Sequence, residues 1–339
     1  MTSSPKTSTW RQAPEFRLAI IAVVVFALMG ILSPERFLSA QNLTSMAFQF
    51  PEFAILALAM TLAMMTGGID LSVVGIANFS AVIAALILTE FADPSLSIQA
   101  SLLLLGFALG VSLFIGAVAG LLNGTLVAFL GLPPILATLG SGLVFTGLAI
   151  ALTGGSAVMG FPEVVAWIGN TQLLGIPTPL LIFIVLAVAL HILMTRTAFG
   201  LRISMYGTNP LAALYAAVDV NVMLLRVYTL SGLFASVAGM VIMSRANSAK
   251  ADYGSSYLLL AVLIAVLGGV NPYGGYGRVV GVVLAVLSMQ FLSSGLNMLQ
   301  VSNFARELIW GVLLLFVMTT NTSFWTSFRR PRARQLESG

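Results

Sequence analysis

Leu102–Leu122 reads LLLLGFALGVSLFIGAVAGLL, a run of 21 residues with no charged side chain. As an α-helix it would cover about 30 Å, the hydrocarbon thickness of a bilayer. Its glycines fall in pairs four residues apart, Gly106/Gly110 and Gly116/Gly120, a spacing that lets helices approach closely in lipid. Working outward, similar apolar runs cover about Leu18–Leu32, Phe53–Thr66, Val73–Leu88, Ile135–Leu152 and Leu180–Leu193. Beyond a polar break they resume at about Val227–Met243, Tyr257–Leu267, Val279–Leu292 and Leu308–Met318. Several are shorter than the roughly 20 residues needed to cross a bilayer. Either polar flanks extend them or they are broken helices held inside protein. The expectation is an all-α membrane protein of about ten transmembrane helices, some broken or re-entrant.

Composition agrees. Of 339 residues, 59% are hydrophobic and 8% charged, against about 25% charged in a soluble domain. There is no Cys, so disulfides and thiol chemistry are excluded, and the single His191 leaves no His/Cys metal cluster. No GxxxxGKS/T phosphate loop occurs, so this chain does not hydrolyse ATP by that chemistry. No nucleophile–base pair is visible either. Met1–Gln12 lacks the apolar core and cleavage site of a signal peptide, so the first apolar run reads as a retained span.

The basic residues set the expected topology. With both ends cytoplasmic, Lys6, Arg11, Arg17, Arg196, Arg202, Arg226, Arg278, Arg329, Arg330, Arg332 and Arg334 lie inside. Arg36, Arg245, Lys250 and Arg306 lie outside, which is eleven against four. The net charge of +4 follows from this bias and gives no reason to invoke nucleic acid. The expected organisation is a tail 1–17, one transmembrane domain 18–320 with a cytoplasmic loop 195–226, and a tail 321–339.

That loop, Thr195–Arg226, carries a helix start: Asn209 as N-cap and Pro210 at the first helical position. From there Leu211, Leu214, Tyr215 and Val218 share one apolar face, and Ala212, Ala213, Ala216 and Ala217 form the other. The apolar face reads as the anchor and the small face as a surface for docking on another protein. The alternative is a helix lying on the membrane. Asp70, in Gly67–Ser72, is either a site at membrane depth or a helix cap. Asn78, Asn123, Thr138, Gln290 and Asn297 either line a path for a polar solute or tie helices together. Leu58–Asp70, LAMTLAMMTGGID, is echoed by Leu260–Asn271, LAVLIAVLGGVN, a pattern seen in transporters with internal repeats.

Several of these stretches resemble a known family. They are MTLAMMTGGIDLSV (Met60–Val73), TRTAFG (Thr195–Gly200), YGTNP (Tyr206–Pro210) followed by Ala212-Ala213, YTLSGL (Tyr228–Leu233) and AVLGGVNPYGGYGR (Ala265–Arg278). They resemble, in the family's order, the ribose-type monosaccharide permeases of bacterial ABC importers, ribose and autoinducer-2 branches alike. The resemblance implies an inner-membrane permease subunit that pairs with a second permease subunit around a central path. Cytoplasmic ABC ATPase subunits carry the ATP and Mg, with no cofactor on this chain, and a periplasmic sugar-binding protein delivers a neutral monosaccharide or related polyol. It places the coupling element at Gly200 to about Asp219: Gly200, Gly207, Asn209, Pro210, Leu211, Ala212, Ala213, Leu214 and Tyr215. The chain departs from the family at Ala217-Val218-Asp219, where relatives usually have Gly-Ile-Asn, which hints at a dedicated ATPase. An ion-coupled carrier that titrates Asp70, or a permease for amino acids or nucleosides, are the rival readings.

Overall fold

A computed structural model describes residues 14–93 and 97–320. Lys6, Arg11, Arg329, Arg330, Arg332 and Arg334 lie outside the described residues, with most of the 1–17 tail and all of 321–339. The helices in order begin α1 (Pro14–Leu32), α2 (Pro34–Phe37), α3 (Ala40–Met65), α4 (Val73–Glu90), α5 (Ile98–Ala128), α6 (Pro134–Thr153) and α7 (Ala166–Asn170). They continue α8 (Thr178–Arg196), α9 (Ala198–Thr208), α10 (Pro210–Tyr215), α11 (Val220–Ala246), α12 (Tyr257–Leu267), α13 (Val279–Met298) and α14 (Asn303–Thr320). A two-stranded antiparallel hairpin, β1 (Gln172–Leu173) and β2 (Ile176–Pro177), precedes α8.

All ten expected apolar segments fall on helices, and the all-α membrane fold holds. Eight of these helices are long and apolar enough to cross a membrane: α1, α3, α4, α5, α6, α8, α11 and α13. The core runs along α3, buried almost without interruption from Phe50 to Met65, and α11 lies against it. The outer helices expose large apolar side chains such as Leu103, Phe107 and Phe114 on α5 and Leu143 on α6. In lipid such exposure carries no penalty, because the solvent is itself apolar.

Three segments differ from the sequence reading. The amphipathic stretch Asn42–Phe50 precedes the expected run Phe53–Thr66, yet it is the N-terminal part of the same helix α3, continuous through Pro51. Its buried residues Asn42, Met46 and Phe50 recur every fourth position, and Ser294 of α13 donates to Asn42 Oδ1 at 2.9 Å. Interhelical packing therefore carries the helix past the proline. Asn123-Gly124 reads as the end of the fourth span, yet α5 continues to Ala128. Here glycine serves contact rather than a turn: a Cβ on Gly116, Gly120 or Gly124 would collide with the backbone of α11 at Gly232, Tyr228 or Leu225. Gly106 and Gly110 face open space instead. The 195–226 loop is not a loop but α9, α10 and the first turns of α11.

The broken element is α12. Its 11 residues cover only about 16 Å, half a crossing. The chain reaches it through irregular backbone at 247–256, where Ser248, Ala249 and Ala251 are buried. Such backbone survives at depth only if protein groups satisfy it. Val158 and Ala249 exchange backbone hydrogen bonds of 2.8 and 2.9 Å, and Asn78 Nδ2 donates to the Ala251 carbonyl at 2.9 Å.

Candidate functional site

Three groups of residues carry the chemistry. The first is a cavity of about 340 Å³ among α3, α12, α13, α14 and the last turn of α11. At its wall Glu52, in the middle of α3 and only 6% exposed, pairs with Arg245 of α11. Tyr257, the first residue of α12, donates its hydroxyl to Glu52 Oε2 at 2.8 Å. A carboxylate this deep needs both partners, since desolvation of an unpaired charge costs several kcal/mol, on the order of the whole stability margin. The rest of the lining mixes neutral hydrogen-bonding groups, Gln49, Gln290 and Ser293, with the rings of Phe53 and Trp310. Arg306 and Glu307 complete it, and Arg306 bonds Asn303. The Arg306 Nε is buried without a hydrogen-bond partner.

Sequence reasoning missed Glu52, Tyr257 and Trp310. The available signal was Glu52 itself, an acid directly before an unbroken apolar run. A span that begins at Phe53 leaves Glu52 just outside it, whereas α3 starts at Ala40 and carries Glu52 inside the bundle. Of the expected path residues, Gln290 lines this cavity, while Asn297 is exposed at the end of α13.

The second group surrounds Asp70, which is fully buried. Its Oδ1 accepts from the Ser72 amide at 3.0 Å and the Ser72 hydroxyl at 2.5 Å. Its Oδ2 accepts from Ser231 of α11 at 2.7 Å. Asn123 of α5 donates to Ser72 Oγ at 2.7 Å. Thr138 of α6 takes the Leu71 amide at 3.0 Å. The carboxylate thus joins the α3–α4 turn to α11, and Asn123 and Thr138 join the same turn to α5 and α6. Three expected path residues come together here.

The third group is the short helix α10. Asn209 caps it, accepting from the Leu211 and Ala212 amides at 3.1 and 3.2 Å, with Pro210 next. The expected faces hold only in part: Ala212, Ala216 and Ala217 are exposed and Val218 is buried, as expected, but Ala213 and the three large side chains have changed places. Ala213 is completely buried and Val218 nearly so, whereas Leu211, Leu214 and Tyr215 are 66%, 61% and 89% exposed. The reason lies at the C-terminus of the helix. The chain turns back through Ala217 in the left-handed region, φ +54°, and the Val218 amide reaches the Ala213 carbonyl at 3.1 Å. That closure presses Val218 and the small Ala213 onto the bundle and leaves the three large side chains pointing away. Asp219 then caps α11, accepting from Val222 at 3.0 Å.

The two glycines expected in the coupling element act inside the protein. A Cβ on Gly200 would meet the Met194 backbone, which sets the sharp α8–α9 corner. A Cβ on Gly207 would meet the Met65 carbonyl and the Gly275 amide. Gly275 itself donates to Met65 O at 2.9 Å. The ends of the two echoed stretches, near Gly67 and Gly274, therefore meet α9 at one joint, glycine against glycine. Beside it, burial raises the pKa of the half-buried Tyr206 phenol above its ordinary value, so this hydroxyl stays neutral.

The family model described as branched-chain amino acid transport system / permease component matches residues 42–318. The autoinducer 2 import system permease protein LsrD of Photorhabdus temperata is 34% identical over 310 residues, covering 90% of each chain. The protein of that name from Salmonella paratyphi A is 32% identical over 317 residues, covering 91% of this chain and 92% of its own. That from Escherichia coli K12 is 32% identical over 310 residues, 90% of each. No solved structure matches.

Proposed function

This chain belongs to the ABC importer permease family described as branched-chain amino acid transport system / permease component, and from that premise we propose how it is driven and what it carries. It is a transport subunit and a multi-pass inner-membrane protein. Its partners are cytoplasmic ABC ATPase subunits, which hold ATP and Mg, a second permease subunit, and a periplasmic binding protein. Both termini and α10 lie on the cytoplasmic side, in keeping with the basic bias of eleven against four.

The observation that carries the drive is the outward triad Leu211, Leu214 and Tyr215 on a capped helix. Large apolar side chains on a rigid turn are what a groove on an ATPase takes hold of. The joint at Gly207 links that helix to the ends of α3 and of the segment before α13. A push on α10 therefore reaches helices that wall the cavity. The relatives are named for autoinducer 2 import. A cavity of about 340 Å³ lies at the small end of ligand sites, roughly 300–1,000 Å³. Amides, hydroxyls and an indole suit a neutral monosaccharide or related polyol, with Gln290 and Trp310 touching it.

The test is uptake by vesicles holding the permease, its ATPase and its binding protein. Leu211→Asp with Tyr215→Ala should lower ATPase binding more than tenfold, the loss typical of truncated anchor residues. Melting of the permease alone should stay within about 0.5 kcal/mol of wild type, because both positions are exposed. Full ATP-driven uptake by that variant would remove α10 from the drive.

A further inference from the structure

We propose that a groove beside the α8–α9 corner holds an acyl chain of an anionic phospholipid, with its phosphate among Arg196, Arg202 and Arg226. The groove has a volume of about 580 Å³ and is lined by Leu121 of α5, Leu193 of α8, Phe199 of α9, and Val222, Leu225 and Leu230 of α11. Arg226 is the charged residue of the lining, and the one hydroxyl, of Thr229, is spent on the Leu225 carbonyl at 2.8 Å. Apart from Arg226, nothing in this wall would hold a polar solute, and an apolar chain satisfies the rest of it.

The arginines give the headgroup. Arg196 follows Leu193 by three residues, Arg202 follows Phe199 by three, and Arg226 follows Val222 by four. On a helix those spacings put each arginine on the same face as a groove-lining side chain. The corner at Gly200, where the α9 backbone rests on Met194, folds two of these faces toward one mouth. All three arginines are exposed. The ion pairs among the described residues are Arg245–Glu52, Lys250–Asp252 and Arg278–Glu15, so none of the three is neutralised by an acid. Arg226 is the seventh residue of α11, about 9 Å in from its start. That is headgroup depth for a helix entering lipid, with its apolar neighbours continuing inward. Basic pockets between membrane helices bind anionic headgroups on this principle.

The experiment uses the purified full chain in vesicles of equal phosphatidylcholine and phosphatidylglycerol. After partial delipidation in mild detergent, retained lipid is counted by mass spectrometry. Phosphatidylglycerol should be enriched over phosphatidylcholine. Each of Arg196→Gln, Arg202→Gln and Arg226→Gln should cut that enrichment about fivefold. Leu230→Trp, which fills the groove and keeps every charge, should abolish retention. Excess inorganic phosphate should displace nothing. Equal retention of the two lipids would overturn the proposal. So would unchanged enrichment in the triple arginine variant, retention by Leu230→Trp, or displacement by free phosphate. If Arg226→Gln fails to fold, the other two arginine variants and Leu230→Trp decide.

Discussion

Among the described residues two acids are buried, Glu52 in α3 and Asp70 in the turn after it, and they are handled in opposite ways. Glu52 stands at the wall of a cavity and is held by a cation and a phenol from two other elements, α11 and α12. Asp70, near the end of α3 that meets α9, is sealed and held by serine hydroxyls and one amide. The first arrangement adjoins a cavity lined by further hydrogen-bonding side chains, Gln49, Gln290 and Ser293. The second spends one carboxylate oxygen on its own turn, at Ser72, and the other on tying that turn to α11 through Ser231. A buried acid is therefore a functional signal only where space adjoins it. Without space it is a fastener, and membrane depth alone does not separate the two.

The comparison breaks most readily at the ion pair. Arg245→Ala leaves Glu52 buried against Tyr257 alone. The expected loss is about 3 kcal/mol, the lower end for a broken buried pair, because the Arg245 side chain keeps 28% of its exposure. Adding Glu52→Gln should recover much of that stability, since the uncompensated charge is gone. Uptake should stay impaired in the double variant, because the cavity wall has changed. Thermal melting and uptake measured on the same preparations separate these outcomes. If uptake returned together with stability, the pair would be a fastener like Asp70.

The fold was legible because lipid makes a simple demand. Runs such as Leu102–Leu122 have one stable state in a bilayer, and all ten runs fall on helices. The cap at Asn209-Pro210 was legible for a similar reason, since it depends on neighbours in sequence. The cavity was not. Glu52 lies nearly two hundred residues or more along the chain from both Arg245 and Tyr257, and helix spacing says nothing about which helices touch. The orientation of α10 was also illegible. Periodicity shows which residues share a face, but not which face the bundle takes. A backbone closure through Ala217 decided it, against the usual rule that larger side chains go inside.

A smaller effect tests the Asp70 side of the comparison. Asp70→Ala strands the hydroxyls of Ser72 and Ser231 and the Ser72 amide, at a cost of about 1–3 kcal/mol. Asp70→Asn should restore most of this. Its carbonyl can still accept from Ser72, and its amide can donate to Ser231 Oγ, since a hydroxyl works in either direction. Uptake per folded molecule should be close to wild type for Asp70→Asn. A proton-coupled role predicts the reverse, a stable protein that does not transport. Uptake that followed the proton gradient and survived ATP depletion would favour that role as well.

The smallest effect concerns the turn that set the face of α10. Ala217 holds φ +54°, a conformation that costs a residue with a Cβ about 1 kcal/mol relative to glycine. Glycine is also what the ribose-type permeases usually carry at this position. Ala217→Gly should therefore stabilise the turn by somewhat under about 1 kcal/mol, because the added freedom of the unfolded chain offsets part of the relief. It should not alter uptake, since Val218 and Ala213 remain buried and the Leu211, Leu214 and Tyr215 side chains still point outward. Hydrogen exchange at the Val218 amide, bonded to Ala213 O at 3.1 Å, is the local reporter and should slow. Faster exchange there would mean that α10 is held by side-chain contacts rather than by its turn. The exposure of Leu211, Leu214 and Tyr215 would then need another cause.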